Sequence, residues 1–218
     1  DYNLEKTGPP EILKQIALGS PAVVLAVGTP AAKFAKENLP GTPVVFCMIL
    51  DPGEVLGANI TGVSLGIPAG IKLEKIQQIF PRMKRIGLIY SSASTPEYTK
   101  TAQASDKLGL TLIARKIDSE KDFPEAVKQL SWQIDYLLMI PDSRIYIPQS
   151  VEYMLREGLK NKFPVIGLAS SYTKAGALLS LDCDFEDLGR QAGEIALRIL
   201  GGALPGGIPA EYPRTVKI

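Results

Sequence analysis

The chain has 218 residues, 45% hydrophobic and 22% charged, the proportions of an ordinary globular protein. With 24 Lys and Arg against 23 Asp and Glu it has no basic excess to meet a phosphate backbone, so nucleic acid is not an expected partner. It has no histidine, which removes Ser-His-Asp and Cys-His nucleophilic schemes and any His-ligated metal. Its two cysteines, Cys47 and Cys183, form no CxxC and no thiolate zinc site, and read as small buried apolar side chains. No metal and no cofactor is expected.

In chain order, Pro9–Leu18 opens on Pro-Pro and carries Ile12, Leu13 and Ile16 on one face, a helix. Ala22–Val27 is an apolar run of strand length that stops at Gly28-Thr29-Pro30, where an Ala-rich helix begins and runs to Asn38. Pro43–Ile49 is a second strand, followed by Asp51-Pro52, and Asn59–Leu65 is strand-like with no helix before it. A helix over Lys72–Phe80 carries Leu73, Ile76 and Ile79 and is stopped by Pro81. The strand Arg85–Tyr90, the helix Thr95–Leu108 ending at Gly109, and the strand Leu110–Arg115 follow. Next come a helix over Lys121–Leu130, a strand over Tyr136–Ile140, a helix over Ile147–Lys160 and a strand over Pro164–Leu168. Ala177–Asp182 is again strand-like. The last helix, Phe185–Leu200, sets Leu188, Ala192, Ile195 and Ile199 in one stripe and ends at Gly201-Gly202.

The strands are apolar throughout rather than alternating, so both of their faces must be covered. Strand–helix alternation then predicts an α/β class, doubly wound, with parallel sheets. In such sheets ligands sit beyond the carboxyl ends of the strands. Gly28, Thr29, Pro30 and Ala31 follow the first strong strand. With Thr29 as N-cap and Pro30 at N1, the free N–H groups there suit a carboxylate; the alternative is a plain helix cap. Asp51, Asp142 and Asp184 follow later strands and could accept from a ligand ammonium. Their alternatives are a turn starter for Asp51, the cap of a helix near Ile145 for Asp142, and the cap of the helix at Phe185 for Asp184. Ser91, Ser92, Ser143 and Ser170 offer hydroxyls in the same kind of position, against a bare hydroxyl turn. Tyr172, Tyr98 and Phe46 are the aromatics placed to wall a pocket. "GGALPGG" lacks the Lys-Ser/Thr of a phosphate loop, and no serine sits in GxSxG, so an enzyme is not expected.

"AVGTPAAKFAKE", "PVVFCMILDP", "NITGVSL", "PRMKRIGLIYSS", "MIPDS", "FPVIGLASSYTKAGALLSL" and "DFEDLGRQAGEIALRIL" occur in this order. The ordered set, from about Pro21 to the end, resembles the substrate-binding components of ABC importers of the tryptophan/tyrosine-binding type. The resemblance implies a type I periplasmic-binding-protein fold, with two Rossmann-like lobes joined by three crossovers and closing on a small molecule, an amino acid and in some members an aromatic one. It implies a periplasmic or extracellular protein, often a lipoprotein, that delivers its ligand to a membrane permease. Carried onto this chain, lobe one is residues 1–64 plus 184–204 and lobe two is residues 65–183 plus 205–218, with "NITGVSL" and "ALLSLDCD" as hinge crossings. The family's first lobe usually opens with a strand and helix ahead of the unit corresponding to Asp1–Leu18. Either the chain is an excised fragment or its first lobe is reduced; on the second alternative the edges of that lobe are exposed and open to a dimer through them. The same fold serves the effector domains of LacI-type transcription regulators, the alternative function.

Overall fold

A computed structural model describes residues 2–218. The chain divides into two compact units, one running to Ile67 and resuming over Cys183–Val216, the other comprising Pro68–Asp182 and Lys217–Ile218. Each unit has its own parallel sheet. The outlying strands β9 (Asp182–Cys183) and β10 (Val216–Lys217) form a separate two-stranded ladder.

In the first unit, α1 (Pro9–Gly19), β1 (Val24–Val27), α2 (Thr29–Asn38), β2 (Val44–Ile49) and β3 (Ile60–Ser64) precede the long helix α8 (Phe185–Leu200). The strands lie in the order β1-β2-β3. Side chains alternate across a strand, and β2 uses both faces for core. Val44 and Phe46 join Ile12, Ile16, Ala32 and Ala35 on the α1–α2 side, while Val45 and Cys47 join Leu188, Ala192, Ile195 and Ile199 of α8. Burying Leu188, Ile195 and Ile199 is worth ~1.5–3 kcal/mol apiece. The Asp184 cap, whose Oδ1 accepts from the N–H groups of Glu186 and Asp187, contributes ~1 kcal/mol. The stripe therefore seats the helix, and the cap fixes where it starts. Cys47 and Cys183 are both buried with no disulfide between them, and burial pushes the Cys47 thiol above its ordinary pKa.

Two local features shape β2. A Cβ on Gly62 of β3 would lie 2.0 Å from the Phe46 carbonyl oxygen, so only glycine lets these strands meet. Beyond Phe46 the register slips, and Met48 adopts φ 61, a bulge that turns its side chain outward.

The chain after α8 runs along β3. Thr61 Oγ1 donates to the Ile208 carbonyl at 2.7 Å, the Glu211 N–H donates to Gly62 O at 2.9 Å, and the Ser64 N–H donates to Glu211 O at 2.8 Å. The buried Gln191, a polar residue beside the apolar stripe of α8, anchors this strap. Its Nε2 donates to Glu211 Oε2 at 2.8 Å and Tyr212 O at 3.0 Å, and its Oε1 accepts from the Arg214 N–H. Arg214 then bridges Asp187 and Glu194, each at 2.8 Å. Residues 205–216 thus belong to the first unit, not to the second lobe as the sequence suggested, because backbone pairing to β3 and the Gln191 amide hold them there.

In the second unit the elements are α3 (Ala69–Ile79), β4 (Arg85–Tyr90), α4 (Thr95–Lys107), β5 (Thr111–Lys116), α5 (Phe123–Leu130), β6 (Tyr136–Leu138), α6 (Pro148–Asn161), β7 (Val165–Gly167), α7 (Ser170–Lys174) and β8 (Leu179–Ser180). The sheet order is β5-β4-β6-β7-β8, all parallel. The core gathers Ile89, Phe123, Val127, Leu130, Met139, Met154 and Phe163. Tyr146 meets Phe123 edge-to-face and donates its hydroxyl to Ile89 O at 3.0 Å. Asp135 ties the approach to β6 to the start of β4, accepting from the Lys84 and Arg85 N–H groups and from the Arg85 guanidinium.

Strand positions follow the apolar runs, while the helix α7 at Ser170–Lys174 lies where no helix was expected, and burial and helix starts depart elsewhere. The expectation that both strand faces are covered fails at β1, where Leu25 and Val27 are 56% and 58% exposed, because α8 packs on β2 and β3. It fails partly at β5, a half-buried edge strand. The helix expected over Lys121–Leu130 opens as a 3-10 turn over Glu120–Asp122 and becomes α-helical from Phe123, just before Pro124.

Gly62→Ala should cost at least about 3 kcal/mol in urea unfolding, since its Cβ meets rigid backbone. Arg214→Ala should lower the stability of the first unit at neutral pH and flatten its loss in acid. Hydrogen bonds from Arg214 and Thr215 depress the Asp187 carboxyl to about 2. A depressed carboxyl contributes stability that is complete above its ordinary value and lost as pH falls towards the depressed one. Thermal melts from pH 5 to pH 2 should show the variant starting below wild type and losing less on acidification, so that the two profiles converge near pH 2; a constant gap would remove the strap from the acid response.

Candidate functional site

Parallel pairing sends every strand of a unit to the same rim at its carboxyl end. In the first unit that rim carries the turn after β1 and the bulge and loop after β2. Gly28 has φ 86, donates its N–H to Cys47 O at 2.9 Å, and accepts from the Ala32 N–H. It is the N-cap, and α2 begins at Thr29 with Pro30 and Ala31 in its first turn. This corrects the expectation that Thr29 caps the helix: the left-handed glycine completes the turn one residue earlier. The Thr29 hydroxyl, exposed at the helix start, makes no hydrogen bond within the described residues. Asp51 turns back to accept from the Gly53 N–H at 3.0 Å, the turn-starter geometry. Phe46 does not wall a pocket; it is wholly buried under α1 and α2. Asp184 caps α8.

The second unit's strand order places β5 on one side of β4 and β6 to β8 on the other. The reversal point lies between β4 and β6, where open α/β sheets leave a crevice. Ser91 and Asp142 follow these two strands, and the structure joins them. Asp142 Oδ2 accepts from the Ser91 N–H at 3.1 Å and from Ser94 Oγ, and Oδ1 accepts from the Arg144 N–H at 3.0 Å. Ser91 also caps the following turn, accepting from the Ala93 N–H at 3.2 Å. Burial works to raise the Asp142 pKa. The Ser94 and Ser91 hydroxyls and the Arg144 and Ser91 N–H groups outweigh it and hold the carboxyl below its ordinary value. Asp142 is therefore charged and committed to fixing two loops. It does not cap a helix near Ile145, since α6 begins at Pro148.

Around this pin, Ser92 Oγ donates to Asp118 at 2.8 Å, and the exposed Ser143 hydroxyl makes no hydrogen bond within the described residues. Farther along the rim, Ser170 opens the short helix α7 with its N–H towards Asp182 at 3.4 Å. Tyr172, also on α7, packs half-buried against the core; a Cβ on Gly167 would come within 2.5 Å of it. Tyr98 stacks flat on Tyr90, ring centroids 4.2 Å apart. Sequence reasoning missed Ser94, Met48, Asp118, Asp182 and Tyr90. The box "SSAS" carried a signal for Ser94, a serine three residues after a serine cap. No sequence pattern marked the Met48 bulge. Among the described residues no group of His, Cys, Asp and Glu is placed to hold a metal ion, and no helix is long and apolar enough to cross a membrane.

Residues 7–218 match the family model described as ABC transporter substrate binding protein. The chain belongs to this family. A protein named tyrosine-binding protein from Clostridioides difficile (strain R20291) is 26% identical over 198 residues, 86% of this chain and 57% of that protein. An uncharacterized protein, RP367, from Rickettsia prowazekii (strain Madrid E) is 24% identical over 91% of this chain and 64% of its own length. The chain thus spans about three fifths of these curated relatives. Among solved structures, the ligand-free, open form of a substrate-binding protein with adhesive properties from Clostridium difficile superposes with a TM-score of 0.77 at 22% identity, covering 96% of this chain and 74% of that one. An ABC domain from Streptococcus pneumonia in complex with L-Trp gives 0.60 at 26% identity, covering 94% and 72%. The fold is that of type I periplasmic binding proteins. A LacI family regulator from Arthrobacter sp. FB24 shares the fold, with a TM-score of 0.56 at 16% identity.

Asp142→Asn keeps the shape but removes the charge and leaves one donor facing another. It should cost about 1–3 kcal/mol of second-unit stability. It should also flatten the pH dependence of that unit. The Asp142 carboxyl contributes stability above its ordinary value that is lost as pH falls through its depressed one. Denaturant titrations at pH 7 and pH 3 check both; a neutral substitution would mean the loops hold without the pin.

Proposed function

We propose that this family member recognises a small zwitterion, an amino acid with an aromatic side chain, outside the cytoplasmic membrane, and hands it unaltered to the permease of an ABC importer. The observation that carries the reading is the pair of preorganised polar rims at the carboxyl ends of parallel strands. One is built on the Gly28 turn, the other on the Ser91–Ser94–Asp142 pin at the strand-order reversal. On this reading the free N–H groups at the start of α2, with the Thr29 hydroxyl, take the ligand carboxylate. Ser92, Ser143, Ser170 and Asp51 supply polar contacts from the rims, with Tyr172 alongside; Asp142 and Asp184 act by holding their loops. The aromatic side chain is drawn from the relative named for tyrosine and the neighbour solved with L-Trp.

Titration calorimetry against the twenty amino acids and a set of small anions tests the proposal. Binding of Tyr, Trp or Phe with one-to-one stoichiometry is expected, and heats absent across the panel would refute it. Thr29→Ala should weaken binding roughly 10- to 100-fold, the loss of one charge-assisted hydrogen bond of ~1.5–3 kcal/mol. The same variant should stay within ~0.5 kcal/mol of wild-type stability, because Thr29 caps nothing. Unchanged affinity would move the carboxylate site elsewhere.

A further inference from the structure

The strands of the second unit all run parallel, so its two ends differ in kind. The carboxyl ends make the rim described above. At the opposite end each strand starts and each helix leading into it stops. The last helical turns and the connections after α3, α4, α5, α6 and α7 therefore gather there. Those segments place Arg82, Lys84, Lys107, Lys128, Lys162 and Lys174 at that end, all exposed and none in an ion pair among the described residues. Arg85 and Lys160 stand there too, but Asp135 and Glu157 take them up. Asp106 is the one other acid in these segments.

The rim end has the reverse balance: the turn after β5 holds Asp118, Glu120 and Asp122 against Lys121. The chain's net charge of +1 thus hides a unit polarised along its strands. Helix dipoles favour a cation in a last turn, which accounts for Lys107, Lys128 and Lys174. They do not call for Arg82 and Lys84, in the connection between α3 and β4. Among these cations stand two large apolar side chains. Trp132, in the turn after α5, is 80% exposed, and Leu159, in the last turn of α6, is 78% exposed. Helices α5 and α6 pack on each other, so both residues stand at the same end. The Trp132 indole makes no hydrogen bond within the described residues. The core does not need this ring, since Leu130 and Ile134 on either side of it fill the interior.

We propose that this amino end of the second unit docks on the surface of a bilayer rich in anionic lipid. Unpaired cations gathered at one end suit any polyanion. Trp132 and Leu159 narrow the partner to one with an apolar interior beneath its charge. An indole seats its ring at the headgroup level with its N–H still in reach of water. The flanking lysines and arginines meet lipid phosphates, each adding to an attraction that salt screens. In that pose the rim of this unit faces away from the bilayer, so the docking surface and the candidate site do not compete.

Trp132 is the only tryptophan of the chain, so its emission reports on this end alone. Large unilamellar vesicles of equimolar phosphatidylglycerol and phosphatidylcholine should bind the chain in a flotation assay and shift its tryptophan emission to the blue. Vesicles of phosphatidylcholine alone should bind it roughly tenfold more weakly or less. Raising salt from about 50 mM to about 500 mM should release it. Arg82→Glu combined with Lys128→Glu should cut partitioning roughly tenfold or more, with the far-UV circular dichroism of wild type. Lys6→Glu combined with Lys14→Glu makes the same charge change on exposed residues of the first unit and should leave partitioning within about twofold. Trp132→Ser, scored by flotation, should weaken binding in the same direction as the second-unit charge variant, and it decides the matter if that variant folds poorly. A chain that ignores anionic vesicles overturns the proposal, as does an equal loss in the two charge variants. So does binding that brings no blue shift or that Trp132→Ser leaves untouched, which would make the partner a polyanion rather than a bilayer.

Discussion

Parallel strand pairing governs this molecule. A parallel strand cannot be reached by a tight hairpin, so the chain must cross over the sheet between neighbours, and most of its crossovers are helices. Those helices cover the faces, which is why β2 can be apolar on both sides and still be fully packed, Val44 and Phe46 one way and Val45 and Cys47 the other. The same constraint gathers the loop after every strand at one rim. The candidate residues Gly28, Ser91, Asp142 and Ser170 come to rims for that reason, although 142 positions separate the first from the last.

At the second unit's rim, the energetics decide between two roles for a carboxylate. A side chain as buried as that of Asp142 loses solvation, which favours the neutral acid. Hydrogen bonds from Ser91, Ser94 and Arg144 reverse the balance. With those bonds made, little of its accepting capacity remains for a ligand. Its role is positional: it holds the loops after β4 and β6 in one arrangement. Membership of the substrate-binding family fits a rim built this way, since a binding protein gains affinity from groups already in place.

Where the sheet of the first unit ends, two solutions appear side by side. The strap over β3 satisfies backbone groups with backbone groups and is secured by Gln191, a polar side chain placed beside the apolar stripe of α8. Among the described residues β1 pairs only with β2, and Leu25 and Val27 are more than half exposed. Apolar strand sequence alone does not distinguish these situations, because burial depends on what packs above a residue. The α8 helix reaches β2 and β3, and its glycine-bearing flank stops short of covering β1.

The sequence by itself determined the class of fold, the position of nearly every strand and helix, and the turn at Gly28. Those follow from local facts: runs of apolar residues of strand length, 3.6-residue stripes such as Leu188–Ile199, and glycine or proline punctuation. It also brought the functional candidates to strand ends, because that placement needs only the alternation of strands and helices. It did not determine which candidates are free. Whether Thr29 or Gly28 caps α2 rests on a backbone angle. Whether Asp142 faces solvent or is held by Ser91 and Ser94 rests on residues about 50 positions away, and whether Phe46 walls a pocket or fills the core depends on the helices packed over it. Tertiary structure decided these points, since burial and hydrogen-bond partnership join residues distant in the chain and leave no periodic trace in it.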